Sequence, residues 1–235
     1  NPGKLVAAPV NYQLHLDEVR TDSNLHHNTA AHTVTIHSAG LFLKSTTSLV
    51  GAGEGIVIRM PERRTDHEVE LAVVIGRTAS RVSAADALAC VAGYAIGLDI
   101  TIRGTEDRSF RKSVDGYTPM GPWMVTADEI ADPMKLHIKT RRNGQIVQDG
   151  GTELMIFDVK YLISHISKFA LLEPGDMIAT GSPGGSIVES QSPQWLKAGD
   201  VVAVLPVDRG TAVGADRHRG GPGRRHRGGR LRAAG

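Results

Sequence analysis

Glu68 and Glu70 stand two residues apart at the mouth of an apolar run, in "DHEVELAVVIG" from Asp66 to Gly76. In a strand, residues i and i+2 point to one side, so the two carboxylates project together while Val69 faces the other way. Like charges held that close destabilise each other unless a cation lies between them. A third acid, Asp99, ends "AIGLD", where a buried strand would deliver it to a sheet edge. Three carboxylates with room for water suit a hard, oxygen-seeking ion: Mg²⁺ first, with Mn²⁺ or Ca²⁺ able to substitute. Taken alone, Glu-x-Glu is a weak signal that also describes a solvated strand face. His67 points oppositely on a regular strand and reads as a packed or surface imidazole.

Other residues could serve such a centre. In "NYQLHLDE", His15 and Glu18 are i and i+3, neighbours on one helical face. A carboxylate beside an imidazole raises its basicity and orients it, as a general base for water requires, though a surface pair has the same spacing. "RGTEDRSFRKSVDGYTPMGPW" is a long polar stretch between two strands. Its Lys112 could sit near the metal and stabilise a developing enolate, or could simply be solvated. "TGSPGG", from Thr180 to Gly185, offers hydroxyls and approachable amides for a carboxylate, or an ordinary turn. Lys44, in "FLKSTTS", meets an anion or water.

These residues must be carried by short elements. Lys4–Tyr12 reads as a strand, "LHLDEV" as a helical turn, and Thr21–Gly40 as a polar, histidine-rich mobile loop. "GLFLKSTTSLVG" has strand character and "GAGEG" is a turn signal. "VELAVVIG" and "AIGLDITIR" read as buried strands. "SAADALACVAGY" reads as a helix capped by Ser83 with Asp86 three residues on. "PWMVTADEI" reads as a strand entering a capped turn. Asn143-Gly144 marks a hairpin within "LHIKTRRNGQIVQDG". Asp158 caps a predicted helix with Val159, Leu162, Ile163, Ile166 and Phe169 on its apolar face. "LEPGDMIATG" and "LKAGDVVAVLPV" are twin turn-plus-strand units. Without βαβ alternation, the pattern favours a β-rich α+β fold.

The 235 residues suffice for a substantial core, and 40% hydrophobic with 22% charged residues is ordinary for a globular chain. No apolar run approaches a bilayer span, and neither a signal peptide nor a lipidation motif is recognisable. One cysteine, Cys90, excludes an intrachain disulfide and makes a cytoplasmic setting the default. The net charge of +2 conceals an asymmetry: residues 209–235 hold eight arginines and one aspartate, or +7, leaving 1–208 at −5. Any electrostatic case for nucleic acid therefore rests on the Arg/Gly tail alone. That tail cannot bury enough apolar surface to order itself and reads as a C-terminus foreign to the body.

Taken in order, "NYQLHLDE", "LFLKSTTSLVG", "HEVELAVVIG", "GLDIT", "KSVDGYTPMGPW" and "GDMIATGSPGG" resemble the fumarylacetoacetate hydrolase family over roughly Lys4 to Val207. The resemblance implies that family's mixed β-sandwich roll in one catalytic domain over 1–208, with a lid near 13–40 and a separate tail over 209–235, assembled as a homodimer. It implies a divalent metal on Glu68, Glu70 and Asp99, and water activated by His15 and Glu18. Lys112 would lie near the reacting oxygens, and Tyr12, Lys44, Tyr117 and Thr180 around a small oxo-acid substrate. The implied reaction is hydrolysis of a carbon–carbon bond in an acylpyruvate-type diketo acid. Isomerisation or decarboxylation of hydroxymuconate-type diacids on the same site is the alternative. Ser182 departs mildly from the family's usual threonine.

Overall fold

A computed structural model of the chain describes residues 2–13, 36–209 and 230–234. The strands are β1 (Leu5–Ala7), β2 (Phe42–Lys44), β3 (Leu49–Gly51), β4 (Ile56–Val57), β5 (Thr65–Asp66), β6 (Val69–Ile75), β7 (Val91–Leu98) and β8 (Thr101–Ile102). There follow β9 (Thr118–Met120), β10 (Val125–Thr126), β11 (Leu136–Arg142), β12 (Gln145–Gly151), β13 (Met177–Ala179), β14 (Val201–Arg209) and β15 (Arg230–Ala234). Helices are short among the described residues: α1 (Ile36–Ala39), α2 (Arg108–Arg111) and α3 (Val159–Ile166). This is the β-rich α+β roll expected from the sequence.

The larger sheet runs β2-β1-β13-β6-β7-β9-β3, with β10 added beside β7. It is mixed: β1 is parallel to β13 and β3 to β9, whereas β6 is antiparallel to β13 and β7. The second sheet runs β12-β11-β14-β15-β4, and β5 pairs with β8. β6 sits centrally and divides its labour by alternation. Val69, Leu71, Val73 and Ile75 enter the main core with Ile100, Ile138 and Ile163. Glu70 and Ala72 take the other face. There, direct pairing aligns Phe42, Ala7, Ala179, Ala72 and Ala95 across five strands. Four of the five side chains in that row are alanines.

The Asn143-Gly144 hairpin joins β11 and β12 with both residues at positive φ (51° and 87°), the geometry of a type I′ turn. The twin units are the same device used twice. Gly175 and Gly199 adopt φ of 93° and 89°, and the following aspartates, Asp176 and Asp200, close the turn by accepting from Glu173 N–H and Lys197 N–H. Asp158 caps α3 by accepting from Tyr161 N–H at 2.7 Å.

Two local expectations are corrected. Ser83 and Asp86 do hydrogen-bond to each other, but no α-helix follows. A 3₁₀ turn over Ala87–Cys90 leads straight into β7, which pairs along its length with β6, with one register shift at Val74/Ile75. Tertiary pairing overrides the local helix signal. Phe169 lies beyond α3 and is 74% exposed, so it is not part of that helix's buried face. "GLFLKSTTSLVG", read as having strand character, holds β2 and β3 with a 3₁₀ turn at Thr46–Ser48 between them. Within the stretch read as a loop, Ile36–Ala39 forms a helical turn, while "LHLDEV" and 21–35 lie outside the described residues. From the Arg/Gly tail, β15 pairs with β14 and β4. Ladder pairing uses backbone groups and asks for no apolar side chains. No described helix is long and apolar enough to cross a membrane.

Candidate metal centre

The site is built on two neighbouring chain segments that run antiparallel. Asp66 pairs with Thr101 and Val69 with Leu98, and between them Asp99 N–H donates to the Glu68 carbonyl at 2.7 Å. Glu68 therefore faces Asp99. Glu70 faces Gly97, which carries no side chain. Ligand oxygens of Glu68, Glu70 and Asp99 lie within 4.8 Å of one another, and all three residues are buried. Among the described residues no other group of three or more histidines, cysteines or acids could hold an ion. An all-carboxylate set of this span fits Mg²⁺, Mn²⁺ or Ca²⁺ by the chemistry of its donors.

Three cations of the chain surround these acids. Lys112 Nζ donates to Glu68 Oε2 (2.5 Å), to Thr101 Oγ1 (2.8 Å) and to Asp99 Oδ2. Lys44 Nζ donates to Asp99 Oδ1 at 2.5 Å and to the Tyr117 carbonyl at 3.3 Å. Arg103 donates to Glu68 Oε1 at 2.6 Å and, by Nε and Nη2, to Asp66 Oδ2. Burial lowers the pKa of both lysines. For Lys112, Asp99 and Glu68 outweigh it and the pKa ends raised. Lys44 has one carboxylate partner and Lys112 beside it, so its pKa stays lowered.

Glu70 is left without a cation partner of its own. It accepts from Gly181 N–H at 2.8 Å. Burial, then the charge of Asp99, pushes its carboxyl up to about 8, against the relief from Lys112 and that N–H. A buried carboxylate so uncomfortable when ionised is a place where a divalent cation would be stabilising.

The substrate-side expectations are placed as follows. Tyr12 is buried and its hydroxyl has no partner in the structure. Burial, and then Glu70, raises its pKa. Tyr117 is also buried with an unpartnered hydroxyl. Thr180 donates its hydroxyl to the Leu71 carbonyl at 2.9 Å, so that proton is committed to β6. His67 is buried, its Nδ1 3.2 Å from Gln148 Oε1, and burial lowers its pKa. His15 and Glu18 lie outside the described residues.

Sequence reasoning missed Arg103, Asp66, Asn11 and Gln148. The first two left a signal. Asp66, Glu68 and Glu70 alternate on one segment, as Asp99, Thr101 and Arg103 do on the other, so one face of each carries every charged group. Asn11 left none. Its amide bridges the Phe157 and Thr180 carbonyls (2.9 and 2.7 Å), holding three distant segments together.

Comparison with known proteins gives this geometry a lineage. A model of the fumarylacetoacetate (FAA) hydrolase C-terminal family matches residues 4–213. Maleylpyruvate hydrolase of Aquipseudomonas alcaligenes is 50% identical over 185 residues, covering 79% of this chain and 64% of that protein, so the chain spans less than two thirds of that relative's length. The structure of maleylpyruvate hydrolase from Sphingobium sp. SYK-6 in complex with manganese(II) and pyruvate aligns with a TM-score of 0.74 at 31% identity, covering 99% of this chain and 70% of that one. A 5-carboxymethyl-2-hydroxymuconate delta-isomerase from Mycobacterium smegmatis aligns with a TM-score of 0.69 at 30% identity, covering 88% and 75%. Motif order, fold and family match agree, and the chain belongs to the fumarylacetoacetate hydrolase family.

Proposed function

We propose that the protein is a divalent-metal-dependent hydrolase that cleaves a carbon–carbon bond in a diketo acid of the acylpyruvate type. The observation that carries this reading is the convergence of ligand oxygens of buried Glu68, Glu70 and Asp99 within 4.8 Å, with Lys112 beside them. A divalent ion held there would polarise the carbonyl of a chelating oxo acid. Arg103 holds one oxygen of Glu68 and Lys112 the other. Lys112 sets a fixed positive charge beside the place where an enolate oxygen would develop. His15, oriented by Glu18, would take a proton from the attacking water. As the carbon–carbon bond breaks, its electron pair moves into the enolate of one product. Return of the proton from His15 yields the ketone.

Isomerisation on the same site is the second reading, favoured by the structural likeness to the hydroxymuconate isomerase. It moves a proton without adding water, so His15→Ala would spare it. The test is NMR product analysis with an acylpyruvate and Mg²⁺. Two acids from the wild-type protein, and none after chelation or in Asp99→Ala, support hydrolysis. A shifted double bond selects the second reading. Undiminished turnover in metal-stripped Asp99→Ala refutes both.

A further inference from the structure

We propose that Gln148, on β12 of the second sheet, is a positioning residue that sets the spacing of Glu68 and Glu70 and anchors the turn that holds Glu70. This rests on the metal-centre reading above. The need for it arises where β13 leaves β6. Their pairing runs from Met177↔Val74 to Ala179↔Ala72. After that, Thr180 N–H still reaches the Leu71 carbonyl (3.1 Å) and Gly181 N–H reaches the Glu70 side chain, and the chain turns away. Val69 N–H, the amide between the two glutamates, then has no strand neighbour on that side. A buried amide left so would be costly.

Gln148 fills the gap with its side-chain amide. It is 1% exposed. Its Oε1 accepts from Val69 N–H at 3.0 Å and lies 3.2 Å from His67 Nδ1. Its Nε2 donates to Ser182 Oγ and to the Pro183 carbonyl, both at 2.9 Å. The side chain thus stands in for a missing peptide unit between β6 and the departing turn. The amide orientation is forced, since reversing it would set an NH₂ against the Val69 N–H. His67 Nδ1 then faces an acceptor and donates to it. Two glycines show how closely β12 and this turn are pressed together. A Cβ on Gly150 would lie 2.6 Å from Pro183 Cβ, and one on Gly185 would lie 2.2 Å from the Val147 carbonyl oxygen.

Consequently one amide governs both ends of the Glu-x-Glu pair. It fixes the backbone between the carboxylates, and through Ser182 and Pro183 it fixes the turn whose Gly181 N–H orients Glu70. The test measures Mn²⁺ binding to metal-free protein by electron paramagnetic resonance, beside thermal melting. Gln148→Met keeps length and packing but removes every hydrogen bond. Its folded form should bind Mn²⁺ about 10–100-fold more weakly than wild type, the usual effect of removing a group that orients a metal ligand. Should that variant fail to fold, Gln148→Asn keeps the amide but falls one methylene short, and must show the same weakening. A purely structural role would lower the melting temperature and leave the Mn²⁺ affinity of the folded protein unchanged. Wild-type affinity in either folded variant overturns the assignment of Gln148 alone. A wild-type protein that takes up no Mn²⁺ overturns the metal-centre reading with it.

Discussion

Glu70→Gln should change how the metal-free protein responds to pH. Glu70 titrates near 4.5 when unfolded and is pushed up to about 8 when folded. Between those values the folded state holds a proton that the unfolded state has released. The group's contribution to stability is therefore fully present below about pH 4.5 and is lost as pH rises towards 8. The loss amounts to ~1.4 kcal/mol per pH unit inside the window, about 5 kcal/mol across it. For a chain of this size that corresponds to a fall in Tm of roughly 10–20 °C. Glutamine at this position has no proton to lose, so the variant should lack that slope. Thermal melts of chelator-treated wild type and Glu70→Gln from about pH 5 to pH 8 give the comparison, and their difference cancels the titrations they share. Saturating Mg²⁺ should flatten the wild-type slope, because a bound cation keeps Glu70 ionised in the folded state. Parallel pH profiles for the two metal-free proteins would refute the claim that Glu70 is buried in a field hostile to its charge.

Three further outcomes follow from the geometry. Lys112→Met should lower kcat about 10²-fold or more with little change in KM, the effect of losing one electrostatic group aimed at developing charge; steady-state kinetics with Mg²⁺ measure it. Gly181→Ala should lower Tm by the equivalent of about 1–3 kcal/mol, since φ is +96° and the new Cβ would lie 2.6 Å from Asn11 Cβ. It should also weaken Mg²⁺ binding, because Gly181 N–H holds Glu70, as calorimetric titration would show. Ile163→Ala, in the buried face of α3, should cost about 2–5 kcal/mol in urea unfolding while leaving the Mg²⁺ affinity of the folded protein unchanged.

The parts of the site legible in the sequence are those that local geometry encodes. Strand alternation put Glu68 and Glu70 on one side, and the end of a buried strand marked Asp99, so their meeting could be argued before the fold was known. The same alternation contained Asp66, Thr101 and Arg103, but the partner of Arg103 depends on the register between two segments, which no single segment carries. Gln148 and Asn11 were not singled out because each acts across a gap between elements far apart in the chain, which no local pattern encodes: Asn11 reaches Phe157 and Thr180, and Gln148 reaches Val69 and Pro183. The helix expected after Ser83 failed for the opposite reason. Its local signals were sound as far as the turn, and β6 then claimed the following residues for pairing.

The central strand, with a core face and a carboxylate face, ties chemistry to folding. Its Leu71 and Ile75 amides cannot open to solvent locally without dislodging the residues that close the protein's interior. Deuterium should therefore enter this strand only when the whole domain unfolds, and Glu70, which it carries, should be as rigid as the molecule's most protected amides. A site arranged this way would gain its precision from the cooperativity of the fold, and any motion about it must be supplied by segments other than the two that bear Glu68, Glu70 and Asp99.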